Sequence, residues 1–190
     1  MNKTSTRKKL TDKLSIVIPA YNEEGAIANT IERSKKLVGK HGISEVEIIV
    51  VNDASTDKTA VIARELGIHV IEHPSNSGYG RSLKSGIMAA SYDMIMITDA
   101  DGTYPVEQVE DLLPLYRKGF QLVVGARSGQ HYHESWFKSP LRKILRFLVE
   151  FTAGEKIEDI NSGFRLFSKQ EVMPYLIRLC NTFSFTTSLT

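Results

Sequence analysis

Only one cysteine, Cys180, occurs in the chain, which excludes an internal disulfide and a zinc site built from several thiolates. No apolar run reaches the roughly 18 residues that a membrane-spanning helix needs, and the polar N-terminus lacks the apolar core of a signal peptide. Lysine and arginine number 24 against 22 for aspartate and glutamate, so the chain is not a strongly basic nucleic-acid binder. These absences predict a globular protein of the cytoplasm.

The hydrophobic pattern predicts one α/β domain. Short apolar runs without polar alternation are typical of strands buried on both faces of a parallel sheet, and amphipathic segments between them are typical of helices. The predicted strands cover 14–18, 46–51, 68–71, 94–97 and 121–124, and 159–167 is expected to be a short strand or a strand-like loop. The predicted helices cover about 24–38, 57–66, 105–117, 139–153 and 169–180, with one more ending near 90; in the last of these segments, Pro174 either bends the helix or marks its real start. This alternation predicts a doubly wound, mostly parallel sheet flanked by helices.

The two ends of the chain are expected to differ from this domain. Residues 1–13 are predicted to be a flexible basic lead, and residues 14–190 to form the domain itself. Because no terminating signal follows the last aromatic residues, we expect the domain to be incomplete at its C-terminal end.

The central motif is Asp99-Ala-Asp101, which follows the apolar run 94–97. Ligands of parallel sheets bind beyond the carboxyl ends of the strands, so both carboxylates fall where a ligand is expected. Two hard oxygen donors one residue apart suit Mg²⁺ or Mn²⁺ shared with substrate phosphates. The alternative is a plain polar turn, since Asp-Gly is a turn dipeptide and Pro105 can begin a helix.

Two other predicted strands end in polar loops. Pro19-Ala-Tyr-Asn-Glu23 follows the first, and Asn52-Asp-Ala-Ser-Thr-Asp57 follows the second. Because parallel strands end at one edge of a sheet, these loops and the two aspartates are expected to converge on one crevice. Gly78-Tyr-Gly80 completes neither a dinucleotide-binding motif nor a P-loop, so those functions are disfavoured.

The predicted helix 139–153 is amphipathic, with basic residues opposite an apolar stripe. Two interpretations compete: the helix packs on its own domain, or it lies at a membrane interface. Both hold together if the helix docks on the domain and turns its aromatic end to the bilayer.

Five motifs, in order, resemble those of the family-two inverting glycosyltransferases of GT-A fold, and within them the dolichol-phosphate mannose synthase-like, polyprenyl-phosphate glycosyltransferase branch. The motifs are P-A-Y-N-E (19–23), N-D-A-S-T (52–56), D-A-D (99–101), G-A-R (125–127) and S-G-F-R (162–165). The resemblance covers nearly the whole chain from about Leu14. It implies a single GT-A catalytic domain that uses a nucleotide-sugar donor and Mg²⁺ or Mn²⁺.

The resemblance implies a donor site. Pro19, Tyr21 and Glu23 resemble the loop that lines the base and ribose, where a tyrosine stacks and a carboxylate accepts hydrogen bonds. Asp53 matches the aspartate that hydrogen-bonds the base. Lys84 is expected to approach the donor or, alternatively, to belong to a solvated helix face.

The resemblance also implies a metal site in the D-x-D motif. Asp101 is expected to be the direct metal ligand and a catalytic residue, with Asp99 in the metal shell or near the ribose. Three positions depart from the family pattern: Asn52 replaces an aspartate, Ala54 a glycine and Thr103 a glutamine.

Basic residues further along match groups that hold the acceptor phosphate. They are Arg127, which we also expect to be catalytic, Arg142, Lys143 and Arg165, since arginine binds phosphate bidentately. Asp159 resembles a site aspartate and is expected to orient a basic residue, or to act as the base if the acceptor is a hydroxyl. A salt bridge between Asp159 and Arg165 is an equal alternative for that pair.

These expectations predict metal-dependent, inverting transfer of a sugar from a UDP- or GDP-sugar to polyprenyl phosphate. The enzyme would work at the cytoplasmic face of a membrane, attached through the helix 139–153, in the synthesis of cell-envelope glycans; it would bind no nucleic acid, and a homo-oligomer is possible. The alternatives are transfer to a polysaccharide or other hydroxyl acceptor, and a nucleotide-sugar-binding fragment without turnover.

Overall fold

A six-stranded sheet forms the centre of the computed structural model, which describes residues 12–126 and 162–189. The strands are β1 (Asp12–Ala20), β2 (Ile43–Asn52), β3 (His69–Glu72), β4 (Met94–Ile97), β5 (Leu122–Val124) and β6 (Arg165–Ser168). Their order across the sheet is β3-β2-β1-β4-β6-β5. The pairs β1–β2, β1–β4 and β2–β3 are parallel, whereas β6 runs antiparallel to both of its neighbours. The predicted α/β class with a mostly parallel sheet is therefore confirmed.

Helices cover both faces of this sheet. They are α1 (Ile27–Lys35), α2 (Thr59–Glu65), α3 (Tyr79–Ala89), α4 (Val109–Arg117), α5 (Lys169–Val172) and α6 (Phe185–Leu189). Within 12–126 and 162–189, no helix combines the length and apolar character that crossing a bilayer requires. The predicted helix 139–153 lies outside the described residues.

Strand alternation sends side chains into two separate cores. Ile16 and Ile18 of β1 pack in the core beneath α1, α2 and α4, whereas Val17 packs in the core beneath α3, α5 and α6. Each of these side chains is fully buried, and full burial of such a residue contributes roughly 1.5–3 kcal/mol. The lack of polar alternation in the sequence is thus explained by helices on both sides.

Several elements differ in extent from the prediction, and two of these differences have a direct physical reason. The segment 169–180 is not one helix: α5 gives way to a 3₁₀ helix, Met173–Arg178, because Pro174 has no N–H for the α-helical ladder. Strand β1 begins at Asp12 rather than at Leu14, since Asp12 already pairs with Ile43.

Candidate active site

A cavity of about 430 Å³ opens at the edge of the sheet where the parallel strands end. Its walls are the loops after β1, β2 and β4, the beginning of α3, and one residue from the C-terminal segment. The lining residues are Pro19, Ala20, Tyr21, Glu23, Asp53, Asn76, Gly78, Tyr79, Ser82, Asp99, Ala100, Asp101 and Phe183. The three polar loops therefore meet as the strand order requires.

The loop after β1 is held by the loop after β2. The N–H of Asn22 donates to Ser55 Oγ at 2.9 Å, and the N–H of Glu23 donates to Thr59 Oγ1 at 2.8 Å. These contacts leave the ring of Tyr21 48 % exposed in the cavity wall. An aromatic face in this position can stack on a planar ligand.

Asp53 is buried beneath the cavity and binds the loop that leads into α3. Its two carboxylate oxygens accept from the N–H groups of Ser77 and Gly78, each at 2.8 Å, and Oδ1 also lies 2.8 Å from His73 Nδ1. Burial by itself raises the pKa of Asp53, but these donors together hold that pKa below its ordinary value. His73 Nε2 in turn lies 2.9 Å from Ser85 Oγ on α3.

This network gives Asp53 a structural role that the sequence did not predict. The contribution of His73 was also missed, although its place directly after β3 was a signal that could have found it. The predicted hydrogen bond from Asp53 to a base stays a prediction.

Asp99 contacts residues from two other segments. The hydroxyl of Tyr79 donates to Asp99 Oδ1 at 2.9 Å, and burial together with Asp99 raises the pKa of Tyr79 well above its ordinary value. A Cβ at Gly163 would lie 2.7 Å from Asp99 Oδ2, so a side chain there would collide with the carboxylate. The N–H of Gly163 donates to Tyr104 Oη at 2.9 Å. The glycine of S-G-F-R thus lets β6 approach Asp99.

Asp101 is exposed, and its Oδ1 accepts from the N–H of Thr103 at 2.9 Å. Gly102 between them has φ of +75°, which favours glycine. The D-A-D-G segment is therefore a turn and also part of the cavity wall, so its two interpretations are compatible.

Acidic groups are concentrated at this end of the cavity. Burial, followed by the charges of Asp101, Asp57 and Asp99, raises the pKa of Glu23. Among residues 12–126 and 162–189, no three His, Cys, Asp or Glu side chains are close enough to form a complete metal site. The pair Asp99 and Asp101 instead suits a cation that takes its remaining ligands from a substrate and water.

Two predicted site residues lie elsewhere. Lys84 is 9 % exposed, and its Nζ donates to the carbonyl oxygen of Leu179 at 2.5 Å and to Asn181 Oδ1 at 2.6 Å. The sequence predicted either a solvated Lys84 or one that approaches the donor, and it did not predict this contact. Lys84 is buried, and it does not line the cavity. Its approach to the donor stays a prediction.

Arg165 is fully buried on β6, where its Nε donates to the carbonyl oxygen of Ser162 at 2.9 Å. It lies close enough to Tyr79 to oppose the rise of that residue's pKa. Its contact with an acceptor phosphate stays a prediction.

The other basic and acidic site residues, Arg127, Arg142, Lys143 and Asp159, lie outside the described residues. Their predicted roles therefore stay predictions.

Fold and site together define a glycosyltransferase of GT-A architecture. The chain belongs to the family described as glycosyl transferase family 2, whose model matches residues 15–173. The resemblance that the five motifs carried is thereby confirmed.

Curated relatives include enzymes whose names mention undecaprenyl phosphate or polyprenol. The chain is 28 % identical over 173 residues to an undecaprenyl-phosphate 4-deoxy-4-formamido-L-arabinose transferase of Enterobacter, covering 86 % of this chain and 51 % of that protein. It is 29 % identical over 174 residues to a polyprenol monophosphomannose synthase of Mycolicibacterium smegmatis, covering 84 % and 63 %. The chain thus spans between about half and two thirds of the length of these relatives.

A solved structure of the same fold is glucosyl-3-phosphoglycerate synthase from Mycobacterium tuberculosis in complex with Mn²⁺, UDP and glucosyl-3-phosphoglycerate. It superposes with a TM-score of 0.70 at 24 % identity, covering 93 % of this chain and 63 % of that one. At this identity the likeness shows the fold alone.

Proposed function

We propose that this protein transfers a sugar from a UDP- or GDP-sugar to a polyprenyl phosphate, with inversion and with Mg²⁺ or Mn²⁺. The observation that carries the proposal is the pair Asp99 and Asp101 in a cavity that also exposes Tyr21 and Glu23. This combination offers an aromatic face, hydrogen-bond acceptors and two carboxylates to one ligand, as a nucleoside diphosphate requires.

The donor site follows from these side chains. Tyr21 and Pro19 flank the base, and Glu23 accepts from a base N–H or a ribose hydroxyl, with Asp53 fixing the wall beneath them and contributing to base binding. Asp101, with Asp99 beside it, would hold the metal ion together with oxygens of the diphosphate. The bound ion supplies Lewis-acid stabilisation of the departing nucleoside diphosphate, an effect worth several kcal/mol in the transition state.

The transfer itself needs no general base when the acceptor is a phosphate. The acceptor oxygen is already anionic near neutral pH and attacks the anomeric carbon opposite the bond to the diphosphate. As the new C–O bond forms, the old one breaks, and the nucleoside diphosphate leaves with its electron pair. We assign Arg127, Arg142, Lys143 and Arg165 to the acceptor phosphate and Asp159 to their orientation.

The lipid acceptor is inferred from the relatives. Both curated transferases named above carry a polyprenyl or undecaprenyl acceptor in their names, and the motifs of this chain resemble that branch. A polyprenyl acceptor places the reaction at a membrane face, which we propose to be the cytoplasmic one, with the segment 139–153, predicted from sequence to be a helix, at the interface.

The test is a transfer assay on the intact protein with Mn²⁺, labelled UDP- and GDP-sugars and vesicles that contain polyprenyl phosphate. We expect label in the lipid fraction with one donor, and loss of that label with EDTA. Vesicles with the corresponding dephosphorylated polyprenol are the matched control, because they lack only the attacking group. Label transferred to 3-phosphoglycerate or to an oligosaccharide, but not to lipid, would contradict the lipid assignment and establish a soluble hydroxyl acceptor instead.

A further inference from the structure

The segment after the 3₁₀ helix, residues 179–183, runs beside the beginning of α3 and reaches the cavity with its last residue. Phe183 at its end lines the cavity, although 81 % of its surface is exposed. Its ring stacks on Tyr79, with centroids 5.5 Å apart and planes inclined by 13°. A large aromatic face is therefore presented to whatever the cavity binds.

Contacts with α3 fix this segment in place. The Nζ of Lys84 donates to Leu179 and Asn181, and the N–H of Arg81 donates to the carbonyl oxygen of Asn181 at 3.1 Å. Gly80 allows the approach, because a Cβ there would lie 2.6 Å from the carbonyl oxygen of Cys180. The segment is thus attached to the cavity wall along most of its length.

The residues that follow anchor the segment from the other side. Phe185 is fully buried in the core beneath α3. Since α3 holds the segment before Phe183 and this core holds the chain after it, the exposed ring keeps a defined position instead of moving as a loose end.

The stacked pair lies at the end of the cavity where the diphosphate is expected. The N–H of Gly78 donates to Asp53, and the hydroxyl of Tyr79 donates to Asp99, so the Tyr79 ring extends from the β2 loop towards the β4 loop. Phe183 stacks on that ring. A donor whose base lies on the β1 loop and whose diphosphate lies at the aspartates would bring its sugar beside this pair.

We propose that Phe183 is the platform on which the hexose ring of the nucleotide-sugar donor packs, and that it helps to select that sugar; this inference rests on the proposed function. The C–H groups on one face of a pyranose form an apolar surface that suits an exposed aromatic ring. The hydroxyls on the ring edge then point towards the carboxylates at the end of β4.

The test compares donor with nucleoside diphosphate on the intact protein. Calorimetry in Mn²⁺ would measure UDP and UDP-glucose, and GDP and GDP-mannose, with wild type and Phe183→Ala. We expect the variant to bind the nucleotide sugar about fivefold more weakly, and the nucleoside diphosphate unchanged, because only the sugar loses its aromatic contact. Phe183→Tyr keeps the ring face and should restore binding.

Phe120→Ala is the matched control, because Phe120 is an exposed phenylalanine outside the cavity lining. It should change neither affinity. An equal loss for nucleotide and nucleotide sugar in Phe183→Ala, or no loss for either, overturns the inference while the proposed function stands. If the wild type binds none of the four compounds, the proposed function fails and this inference fails with it.

Discussion

Two loops at one edge of the sheet carry aspartates that do different work. After β2, Asp53 is 4 % exposed and accepts from His73 and from two backbone N–H groups. After β4, Asp101 is exposed and accepts from the N–H of Thr103 in its own turn. The same signature, an aspartate at a strand end, thus builds the cavity wall after β2, in the wall-forming loop. After β4 it lies exposed at the cavity, in the loop where we propose that the metal ion and donor bind, the ligand-facing loop.

An aspartate at the end of a parallel strand is thus placed near the cavity, but its position in the sequence does not decide whether it binds the protein or stays exposed. A buried carboxylate is stable only when donors surround it, so Asp53 binds the protein itself. An exposed carboxylate needs no such partners and keeps its charge available for a cation. Substitution of Asp101 should therefore weaken binding and leave stability unchanged, whereas substitution of Asp53 should lower stability as well as weaken base binding.

The largest effect is expected for Asp101→Ala, which tests the ligand-facing loop. Loss of a metal-binding carboxylate should weaken Mn²⁺-dependent donor binding by about 100-fold or more, since a metal contact of this kind contributes several kcal/mol. Calorimetry with and without Mn²⁺ would measure the loss. The melting temperature should stay that of the wild type, because the side chain is exposed; unchanged binding would return D-A-D-G to a plain turn.

A loss of stability is the main effect expected for Asp53→Ala. Removing this buried carboxylate takes the acceptor away from the N–H groups of Ser77 and Gly78 and from His73, and we expect a loss of about 3 kcal/mol in the free energy of unfolding. Urea denaturation would measure it. Asp111→Ala, on the exposed side of α4, is the matched control and should change stability little.

The pH dependence of stability at the same position follows from the lowered pKa of Asp53. A carboxyl whose pKa is lower in the folded state stabilises the fold at pH above its unfolded value, about 4, and loses that contribution as pH falls through the folded value. The stability gap between wild type and Asp53→Asn should therefore be full at pH 7 and shrink below about pH 4. A gap that does not change with pH would mean that the charge of Asp53 is unimportant.

A smaller effect is expected for Gly163→Ala, because Gly163 lies just before β6 and contacts Asp99 in the ligand-facing loop. The added Cβ would meet the Asp99 carboxylate, and overpacking of this kind costs about 1–3 kcal/mol. Both stability and Mn²⁺-dependent donor binding should fall. Gly25→Ala serves as control, since a Cβ there meets nothing within 4 Å.

The smallest effect is expected for Ala54→Gly in the wall-forming loop. Ala54 has φ of +61°, a conformation that costs a residue with a side chain about 1 kcal/mol and costs glycine little. The variant should be up to about 1 kcal/mol more stable by urea denaturation, with donor binding unchanged. A destabilised variant would show that the loop accepts alanine without strain.

Most of the central sheet was predictable from the sequence. The apolar runs located five strands because burial on both faces removes polar alternation, and the parallel order then brought the three polar loops together. Strand β6 was harder to place: its residues suggested no strand order, and the antiparallel pairing of Arg165 with Ile97 depends on a distant partner.

The contacts at the site that the sequence did not predict share one physical cause. Lys84 resembles a surface residue in sequence, yet the oxygens that its ammonium contacts belong to Leu179 and Asn181, which lie 95 and 97 positions away. Phe183 carries no motif, and only the folded chain places it beside Tyr79. Local sequence patterns indicate burial and charge, but they do not indicate which distant group will accept a hydrogen bond from a buried ammonium group.

The antiparallel pairing of β4 with β6 also has a consequence for the order of folding. It joins Ile97 to Arg165, which closes a loop of roughly 70 residues, whereas β1 and β2 lie much closer along the chain. Contacts across long separations form slowly, so we expect the β1–β2–β3 half to assemble early and the Gly163 contact with Asp99 to form late. During synthesis, the ability to bind the donor would then mark the last stage of folding.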